Sequence, residues 1–60
     1  MDIETALKIT GIHADELPRI NAGRLKEIIS IMQKARYLTQ HEKEVLTGYK
    51  TILNYIGGAK

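Results

Sequence analysis

Apolar residues in the second half of the chain recur at spacings of three and four, which is the period of an amphipathic α-helix. Two such segments are predicted, over about residues 21–36 and 40–56, with a short joint at residues 37–39. Each would be about 25 Å long, so we expect the two to pair along their whole length. Because the joint is short, the pattern predicts an antiparallel helical hairpin.

A shorter amphipathic segment precedes the hairpin. Asp2 is suited to cap a helix of about residues 2–10, and Gly11 is suited to end that helix in the left-handed conformation. Since a helix of about nine residues does not persist alone in water, we expect it to dock on the hairpin. The predicted fold class is therefore all-α, with a short N-terminal helix packed on the hairpin and one small domain spanning residues 1–60.

Between the short helix and the hairpin, residues 13–20 are predicted to form a connector. One helical turn is expected at residues 14–17, because Pro18 disfavours a helical conformation at the residue before it. Leu17 and Ile20 are the apolar residues expected to hold the connector in place.

Local signals mark the ends of the two hairpin helices. Asn21 is an expected N-cap of the second helix. Thr39 and Glu42 have the spacing of a capping box, in which each side chain bonds the backbone of the other residue. Gly57 and Gly58 are expected to stop the third helix where positive φ is favoured.

The second helix has an apolar surface too wide for one neighbour. Its apolar residues cover an arc of about 160°, compared with a minimum of about 100° for a helix packed on one side. Two neighbours are therefore expected. The residues on this arc are Leu25, Ile28, Ile29, Ile31, Met32 and Ala35.

An antiparallel pairing places one flank of each hairpin helix on the same side and forms a groove. Arg24 and Ile31 lie on the flank of the second helix, and Gly48 and Tyr55 lie on that of the third. A helical Gly costs about 1 kcal/mol relative to Ala, which indicates close approach of another backbone at Gly48. Two occupants of the groove stay open. One is the N-terminal helix, through Ile3, Leu7 and Ile9, and the other is a partner helix or a second copy.

Composition restricts the chemistry of the chain. There is no cysteine, which excludes disulfides and thiolate metal sites. No stretch approaches the roughly 18 apolar residues of a membrane span, and the acidic N-terminus lacks the features of a signal peptide. We therefore expect a cytoplasmic protein.

Catalytic patterns are not found in the sequence. There is no Gly-rich phosphate loop, nucleophile elbow or His-Glu-x-x-His motif, so we expect no enzyme activity and no cofactor. His13 and His41 each have acidic neighbours, but a closed metal site usually needs four ligands. No metal site is predicted.

Charge leaves nucleic-acid binding open as an alternative. The net charge of +2 divides into −3 for residues 1–18 and +5 for residues 19–60. Lys43 and Lys50 form a stripe with Thr47 and Asn54 on the third helix and are the candidate phosphate contacts. A solvated helix face has the same pattern, and we weigh it above nucleic-acid binding.

Residues 38–46 read Leu-Thr-Gln-His-Glu-Lys-Glu-Val-Leu. This segment resembles the opening of the LuxR-type helix-turn-helix, but no turn and recognition helix follow it. The hairpin also resembles the small aspartyl-phosphate phosphatases of sporulation and the hairpin inhibitors of sporulation histidine kinases. The phosphatase signature Ser-Gln-Glu-Leu-Asp would fall on residues 49–53, where neither Gln nor Asp is present. The resemblance implies only a hairpin that docks on another protein.

The function predicted from the sequence is a non-enzymatic protein-protein interaction module, such as a small adaptor or inhibitor encoded by a phage or mobile element. Its expected partner is another protein or a second copy of the chain. The predicted partner-binding residues are Arg24, Ile31, Gly48 and Tyr55, of which Tyr55 is favoured because it lies outside the main apolar arc. The alternatives are a small dimeric nucleic-acid-binding protein and a structural component of a larger assembly.

Overall fold

The described part of the chain folds as three α-helices and one 3-10 helix. The structure is a computed structural model that describes residues 1–57. The helices are α1 (Ile3–Thr10), the 3-10 helix (Ala14–Arg19), α2 (Ala22–Lys34) and α3 (Gln40–Ile56). The predicted all-α class is confirmed, with a short N-terminal helix packed against the later helices and a hairpin formed by α2 and α3.

Helix α1 begins and ends where its local signals predict. The Asp2 carboxylate accepts a hydrogen bond from the Thr5 N–H at 2.9 Å. Hydrogen bonds from the Thr5 side chain and backbone lower the pKa of Asp2 below its ordinary value of 3.8, because they stabilise the charged form. Gly11 ends the helix at φ 76°, and its N–H donates to the Leu7 carbonyl. This left-handed conformation carries little strain only in a residue without Cβ.

The N-termini of the hairpin helices are also capped as expected. Asn21 accepts from the Arg24 N–H at 3.1 Å. The Thr39 hydroxyl accepts from the Glu42 N–H at 3.1 Å, and the Glu42 carboxylate accepts from the Thr39 N–H at 2.9 Å. This capping box determines where α3 begins.

The C-termini of α2 and α3 differ from the predictions. Helix α2 ends at Lys34 rather than at residue 36, because Ala35 is extended at φ −64° and ψ 133°. It is therefore about 20 Å long, against about 25 Å for α3, and the two helices cannot pair along equal lengths. Gly57 ends α3 at φ −76°, so the expected positive φ is not found there. Gly58, the other predicted stop residue, lies outside the described part of the chain.

The connector is more helical than predicted. Its 3-10 helix continues through Pro18 to Arg19, beyond the single turn expected at residues 14–17. Proline lacks an N–H, but its fixed φ of about −65° suits a 3-10 helix. The N–H of Ile20 donates to the Leu17 carbonyl at 3.3 Å and closes the last turn.

Helix α3 is the centre of the fold. Both α1 and α2 pack against it, whereas α1 and α2 touch each other only marginally. Four apolar side chains form the core among residues 1–57: Ala6, Leu25, Ile29 and Ile52. Further apolar residues, including Leu17, Ile20 and Ile56, are half-buried around them.

Candidate functional site

Gly48 lies at the closest contact between α1 and α3. A Cβ at this position would lie 2.9 Å from the Thr10 Cγ2 and 3.4 Å from the Ala6 carbonyl oxygen. The Thr10 hydroxyl donates to that same carbonyl at 2.8 Å, which holds the Thr10 side chain in place. Gly48 is therefore covered by α1, and it does not belong to a surface that a partner can reach.

The N-terminal helix thus occupies the Gly48 side of the predicted groove, but through a smaller residue than expected. Ala6 is fully buried there, while Ile3 and Leu7 are half-buried around the core. Ile9, the third residue expected at this contact, is only half-buried and does not pack on the core. Small side chains at Ala6 and Gly48 let the two helices approach, and the larger residues lie to either side.

Tyr55 lies in a different part of the molecule. Its side chain is 57% exposed and lines an open cleft of about 490 Å³ where the 3-10 helix meets the hairpin. Ala22 lines the same cleft, and Ile31 lies nine residues further along α2, a distance of about 14 Å. Tyr55 and Ile31 therefore do not form one compact site. The cleft is completed by Ala14, Leu17, Pro18, Ile20 and Ile56.

Arg24 and Ile31 do share a surface. They lie two turns apart on α2, with Ile28 on the same side of the helix and Ala35 directly after its last residue. We call these four residues the α2 stripe. Ile31 is 70% exposed although it lies well inside α2. The second neighbour expected for this arc is not provided by α1, because α1 packs on α3 instead.

One end of the α2 stripe borders an apolar cleft. Arg24 and Ile28 line this cleft of about 270 Å³ together with residues that flank the 3-10 helix and with one residue of α3. The remaining lining residues are Ile12, Ile20, Asn21, Leu25 and Tyr49. The stripe therefore offers a concave apolar site beside an arginine, a residue type that is common at protein interfaces.

The other end of the α2 stripe leads into the joint of the hairpin. Tyr37 is 85% exposed there, although the sequence pattern marked it only as part of a connection. No residue from 30 to 47 is buried, and we call this segment the turn end. Because it carries both an exposed aromatic side chain and an exposed isoleucine, the turn end is the better candidate for contact with a partner.

The candidate phosphate contacts lie on a separate face. Lys43 and Lys50 are exposed on α3, and Lys50 lines a cleft of about 500 Å³ between α2 and α3. Lys26 and Gln33 of α2 line the same cleft. The sequence pattern missed this grouping because it depends on the register between the two helices.

Neither a metal-type cluster nor a membrane-spanning helix is found in the described part of the chain. Within residues 1–57, no three His, Asp or Glu side chains come together as a metal site. No described helix has both the length and the apolar character to cross a membrane.

In comparisons with protein-family models, curated proteins and solved structures, no match to this chain was found.

Proposed function

We propose that this chain is a protein-protein interaction module, an adaptor or inhibitor that docks through the α2 stripe and Tyr37. The observation that carries the proposal is the 70% exposure of Ile31 on the apolar arc of a helix that packs mainly against α3. Burying an isoleucine side chain contributes about 1.5–3 kcal/mol, so a partner that covers this position gains substantially.

The small core supports the same proposal. Residues 1–57 contain four buried apolar side chains, which is a small core, and domains of about 60 residues are only marginally stable. A partner that binds the folded chain and not the unfolded chain stabilises the fold by mass action. Docking would therefore contribute to both function and stability.

Site-specific photo-crosslinking tests the proposal. A photo-crosslinking amino acid in place of Ile31 should give a protein adduct in cells that express the full chain. The control carries the same group in place of Asn54, which is exposed on the lysine face of α3. Equal yields at the two positions, or no adduct at either, would contradict docking through the stripe.

Nucleic-acid binding is the second candidate, because Lys26 and Lys50 line one cleft with Gln33 and Asn54. Phosphate contacts of this kind give an affinity that falls steeply as salt is raised. The double variant Lys26→Gln/Lys50→Gln should then lose binding to mixed-sequence DNA at low salt. Lack of binding by the unmodified chain at low salt would remove this candidate.

A further inference from the structure

The outer flank of the α2 stripe carries two opposite charges at matched positions. Glu27 and Lys34 are both exposed and lie seven residues apart, which is almost two full turns. They therefore project from the same side of α2, about 20° apart around its axis. Ile31, which is 70% exposed, lies between them along α2.

We propose that the surface covering the α2 stripe is α2 of a second copy of this chain, packed antiparallel about a two-fold axis between Ser30 and Ile31. This inference rests on the proposed function and names its partner. Residues of the two α2 helices then face each other in pairs whose residue numbers add up to 61. Glu27 then lies beside the partner's Lys34, and the symmetry repeats the pair.

Charge favours the antiparallel arrangement. In a parallel two-fold pairing of α2, the flanks that carry Glu27 and Lys34 in the two copies would lie on opposite sides of the interface and would not meet. The antiparallel pairing brings the two flanks to the same side, places each Glu27 beside a Lys34 of opposite charge, and keeps Ile31 near the partner's Ile31 at the centre.

A second contact is expected beyond the end of the helix. Tyr37 follows the C-terminus of α2, and the antiparallel pairing places this end of one copy near the N-terminal part of the partner's α2, which carries Arg24. Tyr37 is 85% exposed, and Arg24 borders the apolar cleft of about 270 Å³. A tyrosine ring entering that cleft would be covered by apolar side chains and would lie beside a guanidinium that favours aromatic faces.

The area that a dimer requires also favours this extended contact. A stable interface buries about 800 Å² per partner, roughly a sixth of the 4612 Å² that this chain exposes. One helix stripe is narrow, so the contact must also include the joint and the Arg24 cleft at both ends. In the proposed two-fold arrangement, the joint of each copy meets the Arg24 cleft of the other copy, so this contact forms twice.

Sedimentation equilibrium of the purified full chain tests the inference. The unmodified protein should reach twice its monomer mass of 6.8 kDa as concentration rises. Glu27→Lys and Lys34→Glu should each weaken the dimer about tenfold or more, because each variant places like charges together at both ends of the interface. An equal mixture of the two variants should form a heterodimer, and the double variant should dimerise again.

Charge changes on other faces serve as controls. Lys26→Glu and Glu44→Lys alter exposed residues away from the stripe and should leave the dimer intact. Circular dichroism verifies that every variant keeps its helices. A chain that stays monomeric, or single variants that a mixture does not restore, would overturn the proposed dimer.

The photo-adduct at Ile31 separates this inference from the proposed function. An adduct of two copies of the chain supports the dimer. An adduct with a different protein, from a chain that is monomeric in solution, keeps the interaction module and overturns the second copy as its partner. Absence of any adduct contradicts both.

Discussion

All the buried residues among residues 1–57 lie at one end of the hairpin, and none lies at the other. The core end comprises α1, the 3-10 helix, the first half of α2 and the second half of α3, and it contains Ala6, Leu25, Ile29, Gly48 and Ile52. The turn end, residues 30–47, contains no buried residue. It contains the capping box of Thr39 and Glu42, and half-buried Leu46 packs from it against the core.

This difference separates the residues that support folding from those available for contact. The buried side chains at the core end have lost their exposure to water, so changing them removes packing that the fold requires. Ile31 and Tyr37 at the turn end are still exposed, so changing them costs the isolated chain little. A small chain can thus keep a stable core and an apolar contact surface on the same two helices.

Truncation of an isoleucine to alanine should change the free energy of unfolding far more at the core end than at the turn end. Ile52→Ala removes a fully buried side chain and should cost about 3 kcal/mol. Ile31→Ala should cost less than about 0.5 kcal/mol in the monomer. Urea denaturation followed by circular dichroism at low protein concentration measures both. Equal losses would show that the turn end is packed as tightly as the core end.

The contact between α1 and α3 allows a finer test of the core end. Gly48→Ala adds a Cβ only 2.9 Å from the Thr10 Cγ2, so it should destabilise the fold by about 1–2 kcal/mol despite the better helix propensity of alanine. Thr10→Ser removes that methyl and keeps the hydroxyl that bonds the Ala6 carbonyl.

In the Thr10→Ser background, the cost of Gly48→Ala should fall by about 1 kcal/mol, because the clashing atom is gone. The four chains form a double-mutant cycle in the same urea assay. Additive costs in that cycle would mean that the Thr10 methyl is not what limits the size of residue 48.

The sequence predicts the helix N-termini well because their signals are local. Asp2, Asn21 and Thr39 each bond a backbone N–H three residues ahead, so the bond depends on nearby sequence alone. The sequence pattern extends α2 to residue 36, because Ala35 and Arg36 are good helix formers. In the structure these two residues instead belong to the segment that reverses the chain before Thr39.

The candidate site was harder to predict because it depends on which helices meet. The sequence pattern marks Gly48 on the groove flank as a point of close approach, and α1 packs against Gly48 in the structure. Sequence periodicity could not show that α1 would pack on α3 and leave Ile31 exposed. Partner binding by Arg24, Ile31 and Tyr55 stays a prediction.

The smallest expected effect concerns the cap of α1 and its dependence on pH. The hydrogen bonds from Thr5 lower the pKa of Asp2, so the charged carboxylate is favoured in the folded chain. A lowered folded pKa contributes stability above the unfolded value near 3.8, and that contribution is lost as the pH falls through the folded pKa.

Asp2→Asn keeps a side-chain acceptor for the cap but removes the titrating group. Thermal unfolding of the two chains between about pH 2 and pH 6 should therefore differ in slope at the acid end, with the variant losing less stability. Glu44→Gln serves as the matched control, since it removes an exposed carboxylate from the turn end. Identical acid profiles for Asp2→Asn and the unmodified chain would show that this cap does not couple the folding of α1 to pH.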